Sequence, residues 1–147
     1  MGVKVTRTAQ ASWQGDLPSG GGRIGVGSGA YEGAFTLRAR VDDVERSTNP
    51  EELIGAAHAG CFTMSLANLL SESGHPPADL QTTARVRLEQ LDTGFTITKI
   101  ELHTVGEVPD VDGDTFARLA QEAKETCPVS RALAGTEISL EARLAGD

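Results

Sequence analysis

Hydrophobic and polar residues alternate along much of the N-terminal third of the chain, and this period of two predicts β-strands. The first alternating run includes Val3 and Val5 and ends at Trp13, and a second run covers residues 35–41. Many glycines lie between the two runs, but they lack the spacing of a dinucleotide-binding loop and no helix signal follows them. We therefore interpret them as hairpin turns and bends of a sheet.

A long helix is predicted for the middle of the chain. Asn49 suits the N-cap, Pro50 suits the first helical position, and Glu52 is placed to complete a capping box. Gly74 offers a left-handed stop at the other end. Residues 53–70 carry almost no charge on any face, so we expect this helix to be buried on all sides. Because one small sheet covers one side only, we infer that a second subunit covers the other.

Two strands, a helix and a last strand are predicted after the long helix, over residues 80–90, 95–103, 112–126 and 136–144. Asp92-Thr93-Gly94 supplies the turn between the first two strands, and Cys127-Pro128 ends the helix. This order of elements indicates an α+β fold rather than an alternating parallel sheet. Because the chain has 147 residues, which is an ordinary length for one domain, we expect a single domain that covers residues 1–147.

Composition narrows the possible partners. Hydrophobic residues make up 39% of the chain and charged residues 23%, as in soluble globular proteins. The formal net charge of −8 argues against nucleic acid or an anionic membrane surface as a partner, since both attract basic patches. The first residues lack the apolar core of a signal peptide, and we expect no membrane span. We therefore expect a cytoplasmic protein, in which paired thiols are more often catalytic or metal-binding than structural.

Cys61 and Cys127 carry the candidate chemistry. Cys61 lies in the apolar helix and can be an ordinary small hydrophobe, whereas Cys127 precedes a proline where backbone N–H groups can favour a thiolate. A zinc site with His58 is a poor fit, because neither cysteine belongs to a Cys-x-x-Cys pair. A cysteine hydrolase fits poorly too, since His58 shares the helix of Cys61 and is not readily aimed at it. A disulfide, two inert core residues and a redox couple remain open on these grounds.

The surroundings of both cysteines resemble the two cysteine motifs of the OsmC/Ohr family of thiol peroxidases. The first motif covers residues 49–62, Asn-Pro-Glu-Glu-Leu-Ile-Gly-Ala-Ala-His-Ala-Gly-Cys-Phe, and the second covers residues 127–130, Cys-Pro-Val-Ser. Trp-Gln-Gly-Asp at 13–16 and Gly-Phe-Thr-Ile-Thr-Lys-Ile at 94–100 are similar to the OsmC (osmotically inducible protein C) branch. The resemblance extends over nearly the whole chain.

The resemblance implies an OsmC-like α+β fold, with antiparallel sheets around a long buried central helix, in an intertwined homodimer. It also implies that Cys61 attacks a hydroperoxide as a thiolate and becomes a sulfenic acid, which Cys127 converts into a disulfide. An external dithiol, such as a lipoylated protein, then reduces the disulfide. Organic hydroperoxides are the expected substrates ahead of hydrogen peroxide, and no metal, flavin or haem cofactor is implied.

An arginine and a glutamate complete the site in the family. The resemblance maps the glutamate onto Glu51 and the arginine onto Arg38, with Arg40 on the same face of the predicted strand as the alternative. Chemistry agrees with this set: burial raises the pKa of a thiol such as Cys61, a guanidinium stabilises the thiolate, and a carboxylate orients the guanidinium. The other interpretation of Glu51 is a first-turn acid that only complements the helix dipole.

Glu51 and Cys61 are ten residues apart, which corresponds to about 15 Å along a helix at 1.5 Å per residue. One arginine cannot readily bridge that distance along a straight helix, so we hypothesise that Glu51, together with Arg38, serves Cys61 of a second subunit. The rival function is a non-enzymatic protein that binds an apolar ligand or senses redox state through the same thiols.

Overall fold

The computed structural model describes residues 2–147. The chain divides into two compact units, Met1–Leu53 and Ile54–Asp147, and each contains its own sheet. The predicted α+β class is confirmed. The sheets are mainly antiparallel, as predicted, but each also contains one parallel pair of strands that the sequence did not indicate.

The sheet of the N-terminal unit has four strands in the order β1-β2-β3-β4, namely Ala9–Gln14, Gly21–Val26, Glu32–Phe35 and Ser47–Thr48. The first strand begins six residues later than Val3 predicts, and both Val3 and Val5 lie exposed outside it. The interpretation of the glycines as turns is confirmed at Gly29, which has a φ of 81° in the turn between β2 and β3. Gly22 has a different role inside β2, where an added Cβ would lie 1.9 Å from the carbonyl oxygen of Ser12 on the neighbouring strand. The glycine therefore permits the pairing of β1 with β2.

A short helix, α1 (Leu37–Val41), replaces the strand predicted for residues 35–41. The Thr36 side chain caps this helix by accepting a hydrogen bond from the Ala39 N–H group at 3.0 Å. Five alternating residues are compatible with either structure, and the threonine cap decides for the helix. The prediction of a strand was wrong, and with it the expectation that Arg38 and Arg40 share a face, because residues two apart do not face the same way on a helix.

The long helix α2 (Pro50–Glu72) confirms the predicted element, and its N-terminus lies in the first unit. The Asn49 side chain accepts a hydrogen bond from the Glu52 N–H group at 2.7 Å, and Gly74 has the predicted positive φ of 86°. The capping box differs from the prediction. The Glu52 carboxylate accepts a hydrogen bond from the Thr48 hydroxyl at 2.9 Å instead.

The C-terminal unit adds the strands β5 (Asp79–Leu91), β6 (Gly94–Glu107) and β7 (Glu137–Leu144), together with the helices α3 (Gly113–Thr126) and α4 (Pro128–Ala132). The predicted hairpin of β5 and β6 is confirmed, and β7 joins β6 in parallel. Helix α2 packs closely on this sheet at Gly55, where an added Cβ would lie 3.4 Å from the Val86 side chain of β5.

One face of α2 lies in the core and the other is open in the single chain. Phe62, Leu66 and Leu70 are fully buried in the hydrophobic core of the C-terminal unit. On the opposite face Gly60 is exposed, and Met64 exposes 77% of its surface. The single chain therefore buries one side of this apolar helix and leaves the other uncovered.

By length and composition, α2 is apolar enough to cross a membrane, contrary to the expectation that no segment would be. The core helix of a soluble protein passes the same test. The burial of Phe62, Leu66 and Leu70 in the core identifies α2 as such a helix.

Candidate active site

The fold brings together the two cysteines, which lie far apart in the sequence. Cys61 lies on α2, and Cys127 lies at the junction between α3 and α4. Both are free thiols, Cys61 packs against the core cluster that contains Cys127, and each thiol is close enough to change the pKa of the other. Cys127 is fully buried, whereas Cys61 is partly accessible. Two thiols in contact can form a disulfide with little movement of the chain.

Local structure affects the two thiols in opposite directions. Burial raises the pKa of the Cys61 thiol, and the neighbouring Cys127 raises it further, which outweighs the N–H group of Val129. Burial also acts to raise the pKa of the Cys127 thiol, but the nearby donors of Ser130, Cys61 and Val129 outweigh it and lower this pKa overall. Within the C-terminal unit, the favoured site for the negative charge is therefore Cys127.

Proline accounts for the donors around Cys127. Pro128 occupies the first position of α4, where its missing N–H group costs no hydrogen bond. The N–H groups of the next two residues, Val129 and Ser130, lie near enough to lower the pKa of the Cys127 thiol, although its side chain forms no capping hydrogen bond. The Cys-Pro-Val-Ser sequence thus folds into a turn of helix whose first N–H groups stabilise a thiolate.

His58 is fully buried, and its observed partner is Ser130. Its Nε2 atom lies 2.7 Å from the Ser130 hydroxyl, and its Nδ1 atom has no hydrogen-bond partner among the described residues. Burial lowers the pKa of His58, so its imidazole is neutral at physiological pH. Within residues 2–147, no group of three His, Cys, Asp or Glu side chains is arranged to hold a metal ion.

The predicted arginine–glutamate pair is present in the N-terminal unit, but Arg40 forms it and not Arg38. Arg40 Nε lies 2.8 Å from Glu51 Oε1, and Arg40 Nη2 lies 2.9 Å from Glu51 Oε2. This parallel arrangement fixes the guanidinium in one orientation. The hydrogen bonds that Arg40 donates to Glu51 raise the pKa of Arg40 further, so the guanidinium is always charged.

Helix α1 explains why Arg40, and not the preferred Arg38, pairs with Glu51, while the choice of Arg38 or Arg40 as the catalytic arginine stays a prediction. Arg38 and Arg40 point to different sides of this helix, and the side that meets the start of α2 contains Arg40. Glu51 is also more than a first-turn acid that complements the helix dipole. Only 8% of its side chain is exposed, and both of its oxygens are bound by Arg40.

Sequence reasoning missed Ser130 as part of the site. The signal was its position three residues after Cys127, which places it one turn along the helix that begins at Pro128. His58 was considered only as a zinc ligand or as a base for Cys61. Its actual partner lies 72 positions away in the sequence, so no local pattern indicated the contact.

Residues 42–142 match the family model described as OsmC-like protein. The chain is 43% identical over 143 residues to the peroxiredoxin OsmC of Escherichia coli (strain K12), covering 97% of this chain and 99% of that protein. It is 30% identical to the organic hydroperoxide resistance protein OhrA of Bacillus subtilis, over 69% of this chain and 72% of that protein. The crystal structure of OhrB from B. subtilis superposes with a TM-score of 0.72 at 26% identity, covering 92% of this chain and 98% of the other.

The fold, the paired thiols and these relatives together place the protein among the thiol-dependent peroxidases. Within that class, the chain belongs to the OsmC-like family, as the resemblance of its cysteine motifs predicted.

Proposed function

We propose that this protein reduces organic hydroperoxides through a Cys61–Cys127 redox cycle, as part of a defence against oxidative or osmotic stress. The observation that carries the proposal is the contact between two free thiols, one partly accessible and one buried. The accessible thiol can meet a substrate, and the buried thiol can react only with its neighbour. This division of roles supports Cys61 as the peroxide-reactive residue.

In the first step, the Cys61 thiolate attacks the distal oxygen of ROOH. The S–O bond forms as the O–O bond breaks, and the alkoxide takes a proton to leave as ROH, while the cysteine becomes a sulfenic acid. The Cys127 thiolate then attacks the Cys61 sulfur, and hydroxide leaves and is protonated to water. A dithiol, such as that of a lipoylated protein, transfers two electrons to the disulfide and becomes a disulfide itself.

We propose Arg40, held by Glu51, as the cation that stabilises the Cys61 thiolate and the departing alkoxide. The need for it follows from the C-terminal unit, where burial raises the pKa of Cys61 and nearby donors favour Cys127 instead. A guanidinium that is oriented by two hydrogen bonds is suited to both tasks. Arg38, which the resemblance indicated, is tested against it below.

The substrate preference rests on two observations. The relatives named OhrA and OhrB are organic hydroperoxide resistance proteins by name. Partly buried hydrophobic side chains such as Ile54 and Val129 pack against the same core cluster as the cysteines. An apolar setting favours an alkyl hydroperoxide over hydrogen peroxide, because burial of the alkyl group contributes binding free energy.

We also propose that the active form is a cytoplasmic homodimer, with residues 1–147 of each subunit as one functional domain. The family match crosses the boundary between the two units, which supports a single domain. The uncovered face of α2 supports a second copy as its partner, since an exposed apolar stripe of this kind marks an interaction site. In this arrangement, Arg40 and Glu51 of one subunit serve Cys61 of the other.

A rapid-quench experiment tests the peroxidase activity. The reduced protein is mixed with cumene hydroperoxide or with hydrogen peroxide, and the remaining peroxide is measured after acid quenching. We expect consumption at least about a hundredfold faster than by a free thiol of similar pKa, and faster with the organic peroxide. A rate no better than that of the free thiol would instead support the non-enzymatic binding or sensing function.

Met64→Glu is expected to convert the dimer into a monomer and to lower peroxidase activity by at least about tenfold. The substitution places a charge in the centre of the exposed apolar face of α2, where burial against a second copy would leave it unpaired. Sedimentation velocity measures the mass, and peroxide consumption is followed on the same samples. Ala117→Glu, at an exposed position of α3, is the matched control and keeps the mass and activity of the wild type. A monomeric wild-type protein with full activity would contradict the proposed arrangement.

A further inference from the structure

The C-terminal unit contains a buried histidine to which the redox cycle assigns no role. His58 has no exposed surface, and its Nε2 atom lies 2.7 Å from the hydroxyl oxygen of Ser130. Its Nδ1 atom is buried without a hydrogen-bond partner among residues 2–147. A buried polar atom such as Nδ1 costs free energy when it has no hydrogen-bond partner. The hydrogen bond between Nε2 and Ser130 offsets part of this cost.

Ser130 connects this histidine to Cys127. Ser130 lies three residues after Cys127 along α4, and its hydroxyl and its N–H group both act to lower the pKa of the Cys127 thiol. Ser130 is itself 6% exposed, so water competes little for the hydroxyl. His58, Ser130 and Cys127 thus form one buried chain of polar groups, in which His58 is hydrogen-bonded to Ser130.

The direction of these hydrogen bonds follows from the chemistry of the three groups. A serine hydroxyl has a single proton, and it can be donated to the Cys127 sulfur only if the imidazole donates to the serine oxygen. The neutral imidazole must then carry its proton on Nε2, which leaves Nδ1 as a bare acceptor. The opposite tautomer would direct the serine proton to the histidine and leave a buried N–H group at Nδ1 without an acceptor.

We propose that His58 is a positioning residue for Cys127: by donating from Nε2 to Ser130, it holds the serine proton on the Cys127 sulfur and keeps that residue ready as a thiolate for disulfide formation. The proposal rests on the proposed function only in that disulfide formation is the step served. In that step, the Cys127 thiolate forms the S–S bond as the S–O bond of the Cys61 sulfenic acid breaks. Hydroxide leaves and takes a proton from water or the solvent buffer.

The groups that face this chain are few, which makes its effect measurable. The Cys127 sulfur interacts with Cys61, Val129 and Ser130, and the sheet below α2 presents uncharged side chains such as Val86 and Leu102. The nearest charged residues along α3 and α4 are Lys124, which is partly exposed, and Glu125 and Arg131, which are exposed. The ionisable groups at the chain itself are therefore His58 and the two thiols.

The test is a titration of the Cys127 thiolate by its absorbance near 240 nm in a Cys61→Ser background, where Cys127 is the only thiol. Ser130→Ala is expected to raise the pKa of Cys127 by about one unit, because a hydrogen bond to the charged form is lost. His58→Leu is expected to raise it as well, since the serine proton is then no longer directed to sulfur. His58→Gln, whose amide can donate from nearly the same position as Nε2, is expected to restore most of the wild-type value.

Circular dichroism and thermal unfolding show whether each variant is folded. If His58→Leu does not fold, the Cys127 pKa of Ser130→Ala still tests the proposal. A Cys127 pKa that stays unchanged in folded Ser130→Ala, or that rises equally in His58→Gln and His58→Leu, would overturn the proposal. The titration uses no peroxide. A protein that fails to consume hydroperoxide would therefore remove the proposed function and leave this measurement intact.

A kinetic measurement separates the two steps in the Ser130→Ala variant with both cysteines present. The oxidation of Cys61 is expected to keep its rate or to become faster, because Ser130 acts on Cys127 and a less charged Cys127 raises the pKa of Cys61 less. Disulfide formation is expected to slow by only about threefold when the pH is below the Cys127 pKa of both the wild type and the variant. The thiolate fraction falls about tenfold, but the more basic thiolate is about three times more nucleophilic. Equal slowing of both steps would indicate general distortion and would count against the positioning role.

Discussion

Replacement of Cys61 by serine is expected to lower hydroperoxide reduction by at least about a thousandfold, because the reacting nucleophile is lost. The chain has two cysteines, so Cys127 would be the only thiol left to react with the substrate. Cys127 is fully buried, and its lowered pKa cannot compensate for the lack of access. Peroxide consumption with an excess of dithiol measures the loss.

Replacement of Cys127 by serine is the matched control, because it removes the other thiol of the same pair. This variant should still consume one peroxide per chain in a single burst and accumulate a sulfenic acid at Cys61, which dimedone traps for mass spectrometry. Only turnover through the disulfide is lost. If Cys127→Ser abolishes the burst while Cys61→Ser retains it, the roles of the two cysteines are reversed. The pKa directions within the C-terminal unit make that a meaningful alternative, since they favour the charge on Cys127.

The elements that could be predicted from the sequence are those whose ends carry local signals. Asn49 and Gly74 bracket α2, and both act as expected, because an N-cap side chain and a left-handed glycine depend only on neighbouring residues. The hairpin of β5 and β6 was predictable for the same reason, since its turn and its alternation are both local. The parallel partner of β6 was not, because β7 follows only after two further helices.

The error at residues 35–41 shows how an ambiguous local pattern affects the prediction of site residues. An alternation of five residues fits one turn and a half of helix as well as it fits a strand, and the cap at Thr36 was overlooked. A strand would have placed Arg38 and Arg40 side by side, so position along the chain could not distinguish them. The helix places the two arginines on different sides, and Arg40 forms the ion pair with Glu51.

The candidate site depended on a resemblance because its contacts are long-range. Neither the meeting of Cys61 with Cys127 nor that of His58 with Ser130 follows from periodicity, since each joins α2 to a short helix far along the chain. Physical reasoning did anticipate that Cys61 would be too buried to ionise unaided, and the raised pKa agrees with it. It could not anticipate that the neighbouring cysteine would be the favoured thiolate, because that depends on the donors of α4.

Arg40→Gln is expected to slow the oxidation of Cys61 by about a hundredfold to a thousandfold, whereas Arg38→Gln should change it by less than about threefold. The amide of glutamine keeps hydrogen bonding to Glu51 possible but removes the positive charge that would stabilise the thiolate and the alkoxide. The pH dependence should shift as well. Burial already raises the pKa of Cys61, so loss of a cation raises it further and moves the rise in rate to higher pH. The rate of sulfenic acid formation from pH 6 to 10 measures both effects.

A double variant separates the chemical role of Arg40 from a structural one. Arg40→Gln alone leaves the Glu51 carboxylate buried without its cation, which could impair activity through instability. Arg40→Gln with Glu51→Gln removes both charges and should regain thermal stability without regaining activity. If the double variant recovers the rate, the pair is structural and the thiolate is stabilised elsewhere. If Arg38→Gln is instead the inactive single variant, the arginine mapped by the family resemblance is the catalytic one, and the ion pair at Glu51 serves only to fix the start of α2.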